Sequence, residues 1–130
     1  MKLKKVLLID DDDTVNFISK KLIEKSGLAN EIVARNSVLE ALDVLKSEAK
    51  AGTLPELIFV DINMPEMDGW GFIENFSKID SAITATKIIL LTSLINPADI
   101  ERSQNIVAIS AMKEKPVTID MLDQIERDIL

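Results

Sequence analysis

Leu57-Ile58-Phe59-Val60 is a run of four apolar residues with no polar break, and it turns acidic at once with Asp61. A run that short and that uniform suits a strand covered on both faces, as in a parallel sheet; a strand with one wet face would alternate apolar and polar. Residues 6–9, 32–34, 87–91 and 106–112 are likewise mostly apolar and predict four further strands. Between them, apolar residues recur at helical spacing. Residues 14–26 carry Val15, Ile18, Leu22 and Ile23 and are closed by Gly27, and residues 37–50 carry Val38, Ala41, Leu42, Leu45 and Ala49. Residues 70–79 offer Phe72, Ile73 and Phe76, Asn96-Pro97 opens a short helix, and Thr118 caps a last one carrying Leu122, Ile125 and Ile129. Strand and helix alternate five times over the 130 residues. The architecture predicted is α/β, a doubly wound five-stranded parallel sheet in the flavodoxin-like order 2-1-3-4-5 with helices on both faces. Residues 1–130 read as one domain, without repeat, low-complexity tract or linker.

Composition matters mainly for what it forbids. The chain has no cysteine and no histidine. Disulfides, thiolate chemistry, His-ligated zinc and imidazole bases are therefore excluded, leaving carboxylates, Lys, Arg, hydroxyls and the backbone. A formal charge of −7 opposes binding to nucleic acid, whose phosphates attract basic surfaces. The opening MKLKK is followed by too short an apolar run for a secretory signal, and no run approaches the ~20 residues of a membrane span. The expectation is a cytoplasmic protein that engages neither membrane nor nucleic acid.

In an open α/β sheet, chemistry collects at the carboxyl ends of the strands. The first predicted strand ends in Asp10-Asp11, followed by Asp12 and Asp13; the third ends in Asp61, the fourth in Thr92-Ser93, and the fifth runs into Lys115-Pro116. After Asp61, Asn63, Met64-Pro65 and Asp68-Gly69 supply turn chemistry. Singly, each has a plain reading: a solvated aspartate run at a helix start, an N-capping Thr, a Lys-Pro that punctuates a loop. Together, at one mouth, they make a chemical proposition. Clustered carboxylates raise one another's pKa unless a cation neutralises them, and an all-oxygen donor set selects Mg²⁺ or Mn²⁺. Thr92 and Lys115 suit phosphoryl oxygens, which points to phosphoryl chemistry on a carboxylate.

The acidic pair in LLIDD, the segment DINMPEMDG from Asp61 to Gly69, LLTS around Thr92 and Lys115-Pro116 resemble, along essentially the whole chain, the receiver domain of response regulators of the single-domain, chemotaxis type. The resemblance implies that Asp61 accepts a phosphoryl group from a phosphohistidine of a histidine kinase or histidine phosphotransfer protein. It implies that Asp10, Asp11, Asp61 and the backbone carbonyl of Asn63 hold Mg²⁺, with Mn²⁺ able to substitute. Thr92 becomes the switch hydroxyl, Lys115 the phosphoryl-contacting lysine, and the bond to Pro116 a candidate cis peptide. A downstream protein target then reads the fourth helix, fifth strand and fifth helix. Such a protein is a signalling module rather than an enzyme, assisting only its own phosphorylation and dephosphorylation.

Two positions depart from the pattern. Met112 stands three residues before the lysine, where the family often has Tyr or Phe, and the chain contains no Tyr. Leu94 stands two residues after Thr92, where a polar side chain can assist the hydrolytic water, which predicts slow loss of phosphate. The link over residues 47–54 also reads as longer than usual, and Trp70 is placed to report on the mouth. Among rival readings, Asp11-x-Asp13 before Thr14-Val15 resembles the nucleophile motif of haloacid-dehalogenase-like phosphohydrolases, with Asp11 attacking. That reading leaves DINMPEMDG unexplained and lacks a later acidic pair. A pseudo-receiver that binds without being phosphorylated is a further alternative, and an EF-hand loop lacks its Gly and terminal Glu.

Overall fold

The computed structural model describes residues 3–64, 66–79 and 86–130, so Pro65 of the expected turn lies outside the described residues. The strands are β1 (Leu3–Ile9), β2 (Ala29–Arg35), β3 (Leu57–Asp61), β4 (Lys87–Thr92) and β5 (Ile109–Glu114). They pair in parallel in the order β2-β1-β3-β4-β5. Helices α1 (Asp13–Ser26), α2 (Val38–Ala51), α3 (Gly69–Ile79), α4 (Pro97–Gln104) and α5 (Ile119–Asp128) fill the crossovers.

Successive strand residues point to opposite faces, and this divides the core. Leu7, Ile9, Ile58, Val60, Ile88 and Leu90 face Leu42 and Leu45 of α2 and Phe72 and Phe76 of α3, whose rings stack with centroids 5.5 Å apart. Val6, Leu8, Leu57, Phe59, Ile89 and Leu91 face Ile23 of α1 and Leu122 and Ile125 of α5. Both faces are dry, which explains the unbroken apolar runs. Helix starts follow their caps: Asp12 accepts from the amides of Thr14 and Val15, Ser37 from Glu40, Asn96 from Asp99, and Thr118 from Met121. Gly27 and Gly52 close α1 and α2 with φ of 72° and 73°, a left-handed turn open to glycine at no steric cost.

The structure corrects three expectations. The fifth strand starts at Ile109 rather than at residue 106: the Ile109 amide donates to the Ile106 carbonyl at 3.1 Å, closing a turn that leaves Val107 fully exposed. β5 is an edge strand, paired among the described residues with β4 alone, so its sequence lacks the central strands' unbroken run. Ile18 does not face the core; it is 53% exposed, and the buried face of α1 is Asn16, Ser19 and Ile23. Asn16 takes that face because its side-chain amide donates to the carbonyls of Asp10 at 2.9 Å and Arg35 at 3.3 Å. The supposed long link over residues 47–54 is mostly helix, since α2 continues to Ala51 before Gly52 ends it.

Candidate functional site

β1 and β3 are neighbours in register, Ile9 opposite Val60, so Asp10 and Asp61 leave the sheet side by side at its centre. Both are buried, 4% and 5% exposed, while Asp11 is exposed beside them. Each buried carboxylate has one oxygen held by its own turn. Asp10 Oδ1 accepts from the Asp12 amide at 2.9 Å, and Asp61 Oδ1 accepts from the Asn63 amide at 3.1 Å. The other oxygens share one ammonium: Lys115 Nζ lies 2.8 Å from Asp10 Oδ2 and 3.2 Å from Asp61 Oδ2. Lys115 is placed by the turn after β5, where its amide donates to the Thr92 carbonyl at 2.7 Å and a cis bond joins it to Pro116.

Burial pushes the Asp61 carboxyl above its ordinary pKa; the Asn63 amide and the Lys115 ammonium oppose this, and the Asp10 charge adds to it. For Lys115, burial alone would lower the pKa, but the hydrogen bond and charge of Asp10, followed by those of Asp61, outweigh it and hold the ammonium above its usual range. The two carboxylates thus favour the charged form of the lysine, whereas the contacts of Asp61 do not fully offset its burial. Oxygens of Asp10, Asp11 and Asp61 all lie within 4.8 Å of one another. A hard cation with oxygens at about 2.1 Å spans about 4.2 Å between opposite ligands, so this donor set fits one small divalent ion after modest closure.

The aspartate run divides its labour. Asp12 caps α1, and Asp13, in the first turn, accepts from Asn36 Nδ2 at 3.3 Å. Thr92 ends β4 beside the mouth, 1% exposed, but its hydroxyl is occupied within its own loop, donating to the Leu94 carbonyl at 3.1 Å and accepting from the Leu94 amide at 3.3 Å. Met112 is half-buried and packs against the α2–α3 side of the core. Trp70, 8% exposed, is covered by the Arg102 guanidinium of α4 at 4.3 Å from its ring.

Two supporting residues, Asn16 and Arg102, escaped the sequence reading, and a third, Gly69, was read only as part of a turn. Asn16 ties α1 to the backbone of Asp10, and its sequence signal was weak because it shares the buried helix face with another polar residue, Ser19. Gly69 allows α3 to begin against the acceptor strand: a Cβ there would lie 2.9 Å from Ile62 Cα and 3.0 Å from the Asp61 carbonyl oxygen. Arg102 gave no signal at all.

Residues 6–127 match the response regulator receiver domain as a family. The chain belongs to that family. Over 90 residues, 68% of its length, this receiver is 37% identical to the protein PilG of Pseudomonas aeruginosa, of which it spans 60%. It superimposes with a TM-score of 0.92 on a two-component response regulator from Cytophaga hutchinsonii, at 31% identity and covering 98% of this chain and 96% of that one. The receiver domain of the histidine kinase CKI1 from Arabidopsis thaliana, crystallised with Mg²⁺, matches with a TM-score of 0.82 at 25% identity over 98% of this chain and 92% of that one. The receiver is therefore a two-component signalling module with the five-stranded 2-1-3-4-5 sheet. The phosphohydrolase reading is not favoured: Asp11 is exposed, while the lysine engages Asp10 and Asp61. No helix among the described residues is long and apolar enough to cross a membrane.

Proposed function

We propose that residues 1–130 act as one receiver unit in which Asp61 accepts a phosphoryl group from the phosphohistidine of a histidine kinase or phosphotransfer protein. The supporting observation is the pairing of a buried, incompletely neutralised Asp61 carboxylate with the Lys115 ammonium 3.2 Å away, beside Asp10 and Asp11. Asp61 Oδ2 attacks phosphorus, the phosphorus–nitrogen bond of the donor breaks, and the imidazole leaves with the bonding electrons. Lys115 shifts from the carboxylate to the transferred oxygens and stabilises their spread charge. Asp10, Asp11 and Asp61, with the Asn63 carbonyl, would hold Mg²⁺ or Mn²⁺. When bound, the ion supplies further neutralisation of the acceptor and the phosphoryl oxygens.

The Thr92 hydroxyl then exchanges the Leu94 backbone for a phosphoryl oxygen, freeing the loop that leads into α4. A two-state equilibrium in α4, β5 and α5 moves with it and is read by a protein target. Action in the cytoplasm without nucleic acid or membrane agrees with the acidic charge. The test is intact mass after incubation with Mg²⁺ and acetyl phosphate. One hydroxylamine-labile phosphoryl group is expected on the wild type and none on Asp61→Asn. Equal uptake by the variant overturns the assignment, and catalytic release of phosphate through Asp11 favours the hydrolase.

A further inference from the structure

Behind the acid mouth, between α1 and the turn after β5, lies a cavity of about 220 Å³ that the phosphoryl chemistry does not use. Its floor is Leu8, Phe59, Leu91 and Val117, each no more than 5% exposed. Four polar side chains complete the lining, and Asp10, Lys115 and the side-chain amide N–H of Asn16 are already engaged in hydrogen bonds. Ser19 of α1 is 6% exposed and lines the space, and its hydroxyl has no hydrogen-bond partner among the described residues. A mostly apolar cavity with an unspent hydroxyl is built for a small molecule of the same character. Size narrows the class further, because a cavity of about 150 Å³ accepts benzene. Net charge on the ligand is disfavoured, since Asp10 and Lys115 at the cavity's edge already pair with each other.

We propose that this cavity is a binding site for a small neutral monocyclic compound bearing one hydroxyl, of the phenol class, with the hydroxyl on Ser19. The wall it shares with the acid mouth gives it a consequence. Lys115 and Pro116 form part of the lining, so an occupant packs against the stem of the lysine and resists its shift from Asp61. A filled cavity therefore slows phosphoryl uptake. This second half rests on the acceptor reading; binding itself does not.

Methyl-labelled protein titrated with phenol tests both halves. Saturable shifts are expected at Leu8, Val15, Leu91 and Val117, with a dissociation constant in the millimolar range or tighter. Val15→Phe, which fills the space from a half-exposed helix position, should abolish them; Ser19→Leu serves the same end if that variant fails to fold, as its amide spectrum will tell. Ser19→Ala should weaken phenol by about threefold to tenfold while leaving toluene unchanged, a difference that general loosening of α1 does not produce. Shifts that never saturate, that survive the filled variant, or that cluster at Leu42, Ala49 and Ile79 in the α2–α3 groove overturn the site. With acetyl-phosphate uptake first established without phenol, at least a twofold slowing at saturation is expected in the wild type and none in Val15→Phe. An unchanged rate at saturation overturns the coupling. Failure of uptake without phenol counts against the acceptor reading alone.

Discussion

Asp61 makes the clearest case for a residue that works against the stability of its own fold. Its carboxyl is raised above 3.8, so the native state binds that proton more tightly than the unfolded chain does. The associated stabilisation is complete only below the unfolded value and is lost as pH rises through the folded one, leaving a penalty at neutral pH. Asp61→Asn keeps the acceptor for the Asn63 amide and removes the charge. Without divalent cations it should raise stability at pH 7 by about 0.5–2 kcal/mol, measured by urea unfolding, and a lower midpoint would contradict this account. Leu94 makes the second case. Its side chain is 73% exposed and apolar, with nothing to orient an attacking water on an acyl phosphate. The phospho-form should outlast minutes, and Leu94→Asn should shorten its life severalfold by intact mass; decay of the wild type within seconds would refute the idea. In sequence, Asp61 was identifiable from its place at a strand's carboxyl end and Leu94 only through the family resemblance, but the penalty on Asp61 was not legible, because it comes from burial and from Asp10 across a strand pair.

At the level of elements, α1, α3 and α4 are fastened to the site by contacts of different kinds. Asn16 is the polar anchor of α1, donating to the Asp10 and Arg35 carbonyls. Asn16→Leu leaves two buried acceptors without that donor and should cost about 1–3 kcal/mol by urea denaturation, whereas Ile18→Ala on the exposed side of the same helix should change little. α3 and α4 meet through Arg102 over the Trp70 ring. Because Met112 occupies the usual aromatic position, this stack is a natural reporter of α4 movement. Trp70 emission should change on phosphorylation, and Arg102→Ala should remove that change while costing about 0.5–2 kcal/mol. An unaltered phosphorylation response in Arg102→Ala would separate the stack from the switch. The sequence marked most of these elements through caps, as with Asp12, Ser37, Asn96 and Thr118. It misplaced β5 and the face of α1, where edge position and a hydrogen-bonded Asn16 overrule apolar spacing.

For the whole molecule, the site is a meeting of strands whose charges must balance. On the proposed reading Mg²⁺ binds the folded arrangement and not the unfolded chain, so at a hundredfold excess over its dissociation constant it should add about 2.7 kcal/mol of stability. Asp11→Asn should reduce that increment sharply while leaving ion-free stability nearly unchanged, since Asp11 is exposed. Lys115 acts at the other end of the pH scale: its raised folded pKa gives stabilisation fully present below 10.5 and lost as pH climbs through the folded value. The linear pattern by itself determined the five strands and helices, their order in the sheet and the residues gathered at one mouth. Apolar runs covered on both faces and right-handed crossovers leave few other solutions. Only the tertiary structure decided that Lys115 reaches 105 residues back to Asp10, that the Thr92 hydroxyl is turned onto Leu94, and that Ser19 faces an unfilled space. Those outcomes depend on distances and burial between segments remote in the chain, which local periodicity does not encode.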